Sequence, residues 1–359
     1  MIAPYRETPC RHCGELGQAS TPCPDCECMV CSVCLGPEQC PTPVPRVHQL
    51  GVGQRVLALE RTGSTALYAT TRGVLQTYNL AREERVLFPN ASSTAHEGLA
   101  TGDRLPRAAL LERGALLASV QTRRDYMDMC LQRRGEVMRA LPLGAAPSPS
   151  YADTPRLFVS QDESMLFTAF HDRRGRRRVD CFVLGDEPHL RSTLSLHEQL
   201  RHAVLLEDDL AALATADDIT LYELNEGRPV SRIGSDLYWL CTFEKQILMI
   251  TRQEVNRATL GRNHTLIPDR QWKVSLDEPT MTHAPSDASL ALDGSVLALL
   301  GKTRSEVLLL DMLQQRVMGL LQFTVHVDLM RFVEGSRLFV ALANGQIIEH
   351  WQRSLLTTR

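Results

Sequence analysis

The residues most able to do chemistry in this chain are its thiols. Eight of the eleven cysteines fall in one short stretch, in the order Cys10, Cys13, Cys23, Cys26, Cys28, Cys31, Cys34 and Cys40. A two-residue gap lets neighbouring thiolates bend onto one tetrahedral ion, and Cys10/Cys13, Cys23/Cys26, Cys28/Cys31 and Cys31/Cys34 all have that gap. The spacing predicts a small module organised around two zinc ions. So short a segment cannot bury enough apolar surface to fold unaided, so its order would come from the metal.

A disulfide framework is the competing use of so many cysteines in a small module. The opening residues MIAPYRETPC carry no apolar core of a secretory signal and no small-residue cleavage site, so a reducing, cytoplasmic setting is expected. Cys130, Cys181 and Cys241 stand singly among apolar neighbours and read as small core residues. With every position around the metal filled by protein, zinc here would be structural, with no open site for a catalytic water.

Taken without Cys28, the pattern runs Cys10-x2-Cys13-x9-Cys23-x2-Cys26-x4-Cys31-x2-Cys34-x5-Cys40-x7-His48. This resembles the B-box zinc finger and, more loosely, RING and FYVE modules, which interleave two sites. The resemblance implies that Cys10, Cys13, Cys31 and Cys34 hold one zinc and that Cys23, Cys26, Cys40 and His48 hold the other. If Cys28 is a ligand, eight thiolates complete two all-cysteine sites and His48 is a linker residue. RING resemblance would imply a ubiquitin-ligase-like scaffold, but no final Cys-x2-Cys pair follows Cys40.

The second chemically distinctive segment is HDRRGRRRVD, where Arg173, Arg174, Arg176, Arg177 and Arg178 surround Gly175. A solvated turn that protects a sheet edge is the plainer reading. The functional reading is a docking point for an anion: RNA, a phosphorylated partner or an acidic protein surface. Without interleaved aromatic residues, contact with phosphates or carboxylates is favoured over base readout. The acidic turns Glu207-Asp208-Asp209 and Asp217-Asp218 lack the spaced ligands and glycine of a calcium loop. No nucleophile elbow, phosphate loop, zinc-protease helix or dinucleotide fingerprint occurs, so no catalytic residue is assigned and neither an enzyme nor a small-molecule substrate is expected.

These residues must be positioned by the elements around them. After Cys40, Pro41, Pro43 and Pro45 alternate with other residues and favour an extended connector, which places a boundary between residues 1–48 and 49–359. Beyond it, apolar segments of strand length alternate with turn signals, and one pattern returns seven times, near Leu57, Leu110, Val159, Leu205, Thr242, Ala291 and Phe332. A repeat every few tens of residues, with paired apolar strands and polar turns, is that of a four-stranded antiparallel blade. The segments VLQTYNLAREERVLF, ITLYELNEGRPVSRI and VLLLDMLQQRVMGLL overlay without gaps. The fold expected is all-β, a seven-bladed β-propeller behind a small zinc-binding domain.

That repeat region resembles a WD-repeat β-propeller, although the family's Gly-His and Trp-Asp dipeptides are absent from every blade. The resemblance implies ring closure by strands from both ends of the domain, expected between Gln54–Leu59 and Ile347–Trp351. A B-box followed by a propeller is also similar to tripartite-motif proteins that end in an NHL propeller, which points to an interaction module.

Bulk properties agree with this. The 359 residues are 43% apolar and 23% charged with net charge −3, so a sizeable core is expected and there is no global basic field to draw nucleic acid. No apolar run is long enough to span a membrane. The expected function is a non-enzymatic protein-interaction adaptor or scaffold, with an RNA-binding regulator acting through Arg173–Arg178 as the alternative.

Overall fold

In a computed structural model of the chain, the described residues are 20–22, 29–31 and most of 45–351, with residues 87–107, 146–154, 277–284 and scattered turn positions left out. Seven four-stranded antiparallel sheets follow one another along the chain. The first blade is Arg55–Leu59, Thr65–Ala69, Leu75–Asn79 and Glu84–Val86; the second is Ala108–Leu111, Leu116–Thr122, Tyr126–Arg133 and Arg139–Ala145. The third is Arg156–Val159, Met165–His171, Arg177–Val183 and His189–Leu196; the fourth is His202–Glu207, Leu210–Ala214, Asp218–Glu223 and Arg228–Gly234. The fifth is Leu237–Phe243, Gln246–Thr251, Glu254–Leu260 and Leu266–Ser275; the sixth is Pro285–Leu290, Val296–Gly301, Glu306–Asp311 and Arg316–Gln322. The seventh is Val327–Val333, Arg337–Leu342, Gln346–Trp351 and, from far earlier in the chain, Arg46–Gln49.

The first strand of each blade packs against the first strand of the next, and the last of these returns to the first, so the sheets form a closed ring. The fold is a seven-bladed β-propeller, and all seven repeats read from sequence are blades. Among the described residues there is no helix, and none long and apolar enough to cross a membrane.

Seven apolar clusters lie one in each gap between consecutive blades, in place of a single central core. This explains the unbroken apolar strands. Strand Val296–Gly301 is buried along its whole length because Leu297 and Leu299 pack toward the fifth blade while Val296, Ala298 and Leu300 pack toward the seventh. Alternation by burial is lost in such a strand, as expected for a sheet covered on both faces. Outer strands recover it: Arg228–Gly234 and Arg316–Gln322 are largely exposed.

Closure differs from the expectation in its residues. Arg46–Gln49 pairs antiparallel with Gln346–Glu349, whereas Arg55–Leu59 is the inner strand of the first blade and pairs with Ala66–Ala69. The propeller therefore takes in Arg46, Val47 and His48, which the sequence boundary put in the N-terminal module. His48 is 3% exposed, its Nε2 lies 3.2 Å from Glu349 Oε2, and its ring stacks on Phe339. Arg337 Nη1 donates to the other oxygen of the same buried carboxylate at 3.3 Å. The seam continues where Leu50 N donates to Gly345 O at 2.9 Å, Arg55 forks onto Asp328, and Arg331 Nη1 donates to Leu59 O at 2.7 Å. Gly345 has φ +81°, and a Cβ there would meet Gly51 O at 2.2 Å, so the seam requires glycine at this turn.

The Gly-His and Trp-Asp network of WD blades has local substitutes. Thr251 Oγ1 accepts from Glu254 N at 3.1 Å and donates to its carbonyl at 2.9 Å; Asn344 Oδ1 accepts from Gln346 N at 3.1 Å; Asp172 Oδ1 accepts from the backbones of Arg174 and Arg176, both at 2.9 Å. Each second-to-third-strand turn is thus tied by its own side chain.

Replacing His48 with alanine is expected to lower propeller stability by about 2–4 kcal/mol, since it opens a gap on Phe339 and leaves Glu349 with one fewer partner. Denaturant unfolding followed by tryptophan fluorescence measures this, with Val47→Ala, at an exposed position on the same strand, as the near-neutral control.

Candidate functional site

An antiparallel meander puts alternate turns on opposite faces of the disc. One face carries the second-to-third-strand turns and the crossings between blades; the other carries the remaining turns. The arginine segment lies on the crossing face of the third blade, in the turn between Met165–His171 and Arg177–Val183. Arg173 lies outside the described residues.

The structure distributes the other four arginines unequally. Arg176 Nε donates to Asp172 Oδ2 at 2.9 Å. Burial raises the Asp172 carboxyl, but the bonds from Arg176 and Arg174 outweigh it and hold the group below its ordinary value. Arg178 forks onto Asp180 at 2.6 and 2.8 Å and lies over the Phe170 ring at 5.5 Å. Asp180 is fully buried and also accepts from Thr193 Oγ1 at 2.8 Å, so this pair is an internal brace. Arg174 is exposed. Arg177 sends Nη1 to His197 O at 2.6 Å, while its Nε is buried without a hydrogen-bond partner.

Beneath the turn is a cleft with about 310 Å³ of empty space. Arg156, His171, Arg177, Arg178 and Gln199 give it polar walls, and Ala169, Phe170, Val179, Leu196 and Leu200 give it an apolar floor. Arg156 is fixed by a 3.0 Å bond from Nη1 to Leu200 O. Beside Arg177, the Glu198 carboxyl is raised above its ordinary value, first by a hydrogen bond shared with Asp217, then by burial and the charge of Asp217. Sequence reasoning found the arginines but missed Arg156, His171 and Gln199, which come from other strands and the crossing. Nothing local to those residues marks them.

On the opposite face, a first-to-second-strand turn reaches across the axis. Gln161 of the third blade accepts on its carbonyl from Arg61 Nη1 of the first at 2.6 Å, and its side chain meets Thr242 Oγ1 of the fifth at 3.3 Å. Glu163 accepts from Glu112 N of the second blade at 2.9 Å. Burial lowers the Arg331 guanidinium at this end below its ordinary value, against the opposing charge of Glu163. These contacts tie four blades together and narrow this end of the ring.

The expected zinc ligands are placed only in part. Ser20–Pro22 and Met29–Cys31 form a two-stranded antiparallel hairpin with Ser20 opposite Cys31. Cys10, Cys13, Cys23, Cys26, Cys28, Cys34 and Cys40 lie outside the described residues. His48 stands in the closing strand on Glu349, and among the described residues no cysteine or other metal-ligating cluster is brought to it. The three other cysteines are buried, and burial pushes the Cys181 and Cys241 thiols up to about 12.

In comparisons with known proteins, no family model matches the chain and no curated protein matches it. The class is therefore defined by the fold itself, a seven-bladed β-propeller.

Two outcomes follow from burial. Thiol labelling of the native protein at pH 8 should leave Cys181 and Cys241 unmodified until denaturant is added. His202, packed between Phe158 and Trp239, is held down to about 3 by burial, so it stays neutral when folded and gains a proton when unfolded below its ordinary pKa of about 6.5. Stability should accordingly fall by a few kcal/mol as pH drops from 6.5 toward 3. His202→Gln should flatten that part of the pH–stability curve, and an unchanged slope would refute the assignment.

Proposed function

We propose that this protein is a non-enzymatic interaction adaptor: a cysteine-rich, two-zinc module joined to a rigid propeller, each presenting its own surface to protein partners. The observation that carries this reading is the origin of the closing strand. Arg46–Gln49 enters the seventh blade on the face opposite the crossing face and leaves it beside Gly345. Only residues 41–45 separate Cys40 from that strand, a reach of at most about 18 Å. The module is thus tethered to the rim of the seventh blade on one face, while the arginine-lined cleft opens three blades away on the other. Two separate surfaces on one stiff disc suit bridging between partners, and propellers combine a fixed strand framework with variable loops.

In this reading the module takes its zinc from the eight thiolates, Cys28 included, because His48 is engaged in the ring. Metal analysis should return two zinc ions per chain, unchanged by His48→Ala and reduced by Cys10→Ala. Chelation should release both ions while the propeller's unfolding midpoint stays in place. The RNA-binding alternative draws less from the geometry, since Asp172 and Asp180 already neutralise Arg176 and Arg178.

Gentle purification of the native protein from cells, followed by identification of co-purifying chains, tests the adaptor reading. Defined, stoichiometric protein partners are expected; a clean monomer would count against it.

A further inference from the structure

The cleft on the third blade is compact, mixed in character and unequal in its charges. Its volume of about 310 Å³ sits at the lower end of the range of roughly 300–1,000 Å³ for ligand sites. That is room for a side chain or two, not for a large cofactor. The floor of Phe170, Leu196 and Leu200 offers apolar contact, while Arg156 and Arg177 bring positive charge to the wall.

The number of uncommitted donors limits the anion. Arg178 has spent its fork on Asp180, and Arg156 and Arg177 each give one Nη1 to a carbonyl. Arg177 Nε is the buried donor left over. The carboxyls of Glu198 and Asp217 stand close by, so a dianion would meet repulsion that a monoanion largely avoids. Buried donors without partners are costly, which makes an incoming acceptor at Arg177 favourable.

We infer that this cleft docks a short segment of a protein partner in which an apolar side chain sits beside a carboxylate, the apolar group resting on Phe170 and Leu200 and the carboxylate meeting Arg177 and Arg156. This rests on the adaptor reading and names the partner chemistry of one of its two surfaces. Arginine suits the task because its planar fork matches a carboxylate. The aliphatic floor supplies the part of the affinity that salt does not screen.

The test uses the full-length, zinc-loaded protein and three pentapeptides that alternate leucine with aspartate, with asparagine, or with phosphoserine, titrated by calorimetry. Binding of the aspartate peptide is expected, with at least a tenfold loss for the asparagine peptide. Arg177→Gln, and separately Gln199→Asp at the mouth, should each weaken the aspartate peptide about tenfold or more, while Arg177→Lys should recover part of the loss. Equal binding of the aspartate and asparagine peptides, no binding of either, or phosphoserine binding more than tenfold tighter than aspartate would overturn the inference. If Arg177→Gln loses the peptide but keeps every cellular partner, the cleft is not the docking slot and the adaptor reading stands. If the wild-type chain has no cellular partner, the adaptor reading fails and the partner assignment of the cleft fails with it, even where the peptide binds.

Discussion

The pairing of Arg46–Gln49 with Gln346–Glu349 is the constraint on which the rest of the molecule depends. A propeller buries its apolar surface between neighbouring blades, so an open ring leaves two sheet faces and an outer edge without partners. Four residues from the beginning of the domain supply the last outer strand, and they are fixed by a buried histidine, a buried glutamate and an arginine over the same phenylalanine ring. Chain connectivity does not close this ring. Hydrogen bonds and packing do, and they also tie the cysteine-rich segment to the disc.

Distribution of the core into seven gaps has a further consequence. Each blade is held on both sides, so its stability is shared with its neighbours, as in other repeat architectures whose units cannot bury their surfaces alone. The polar turn of the third blade adds contacts to the first, second and fifth across the axis. Variation is then confined to the turns and crossings, and the cleft lies in that region. Its apolar floor belongs to the framework, and its arginines are held by carbonyls and carboxylates of the same blade.

Much of this was legible in the sequence and some was not. Seven repeats could be counted because every blade must present apolar strands and polar turns in the same order, even where the signature dipeptides of better-known propellers are missing. The closing strand was not legible. RVHQ is short, follows three alternating prolines, and contains a histidine at a spacing that suits a metal site; its pairing partner lies some three hundred residues away. The arginine run was visible, but its charge balance was not, because Asp180 acts from two positions along a strand and Asp172 through turn geometry.

The sequence alone determined the number and nature of the repeating units, since period and hydrophobic pattern are local properties that burial between two neighbours imposes on each strand. It also determined the density and spacing of thiols ahead of them. Only the tertiary structure decided which segment closes the ring, that His48 serves the ring, and which arginines keep charge for a partner. Each of these is settled by contacts between residues distant in the chain, and a free guanidinium differs from a neutralised one only in what the fold places beside it.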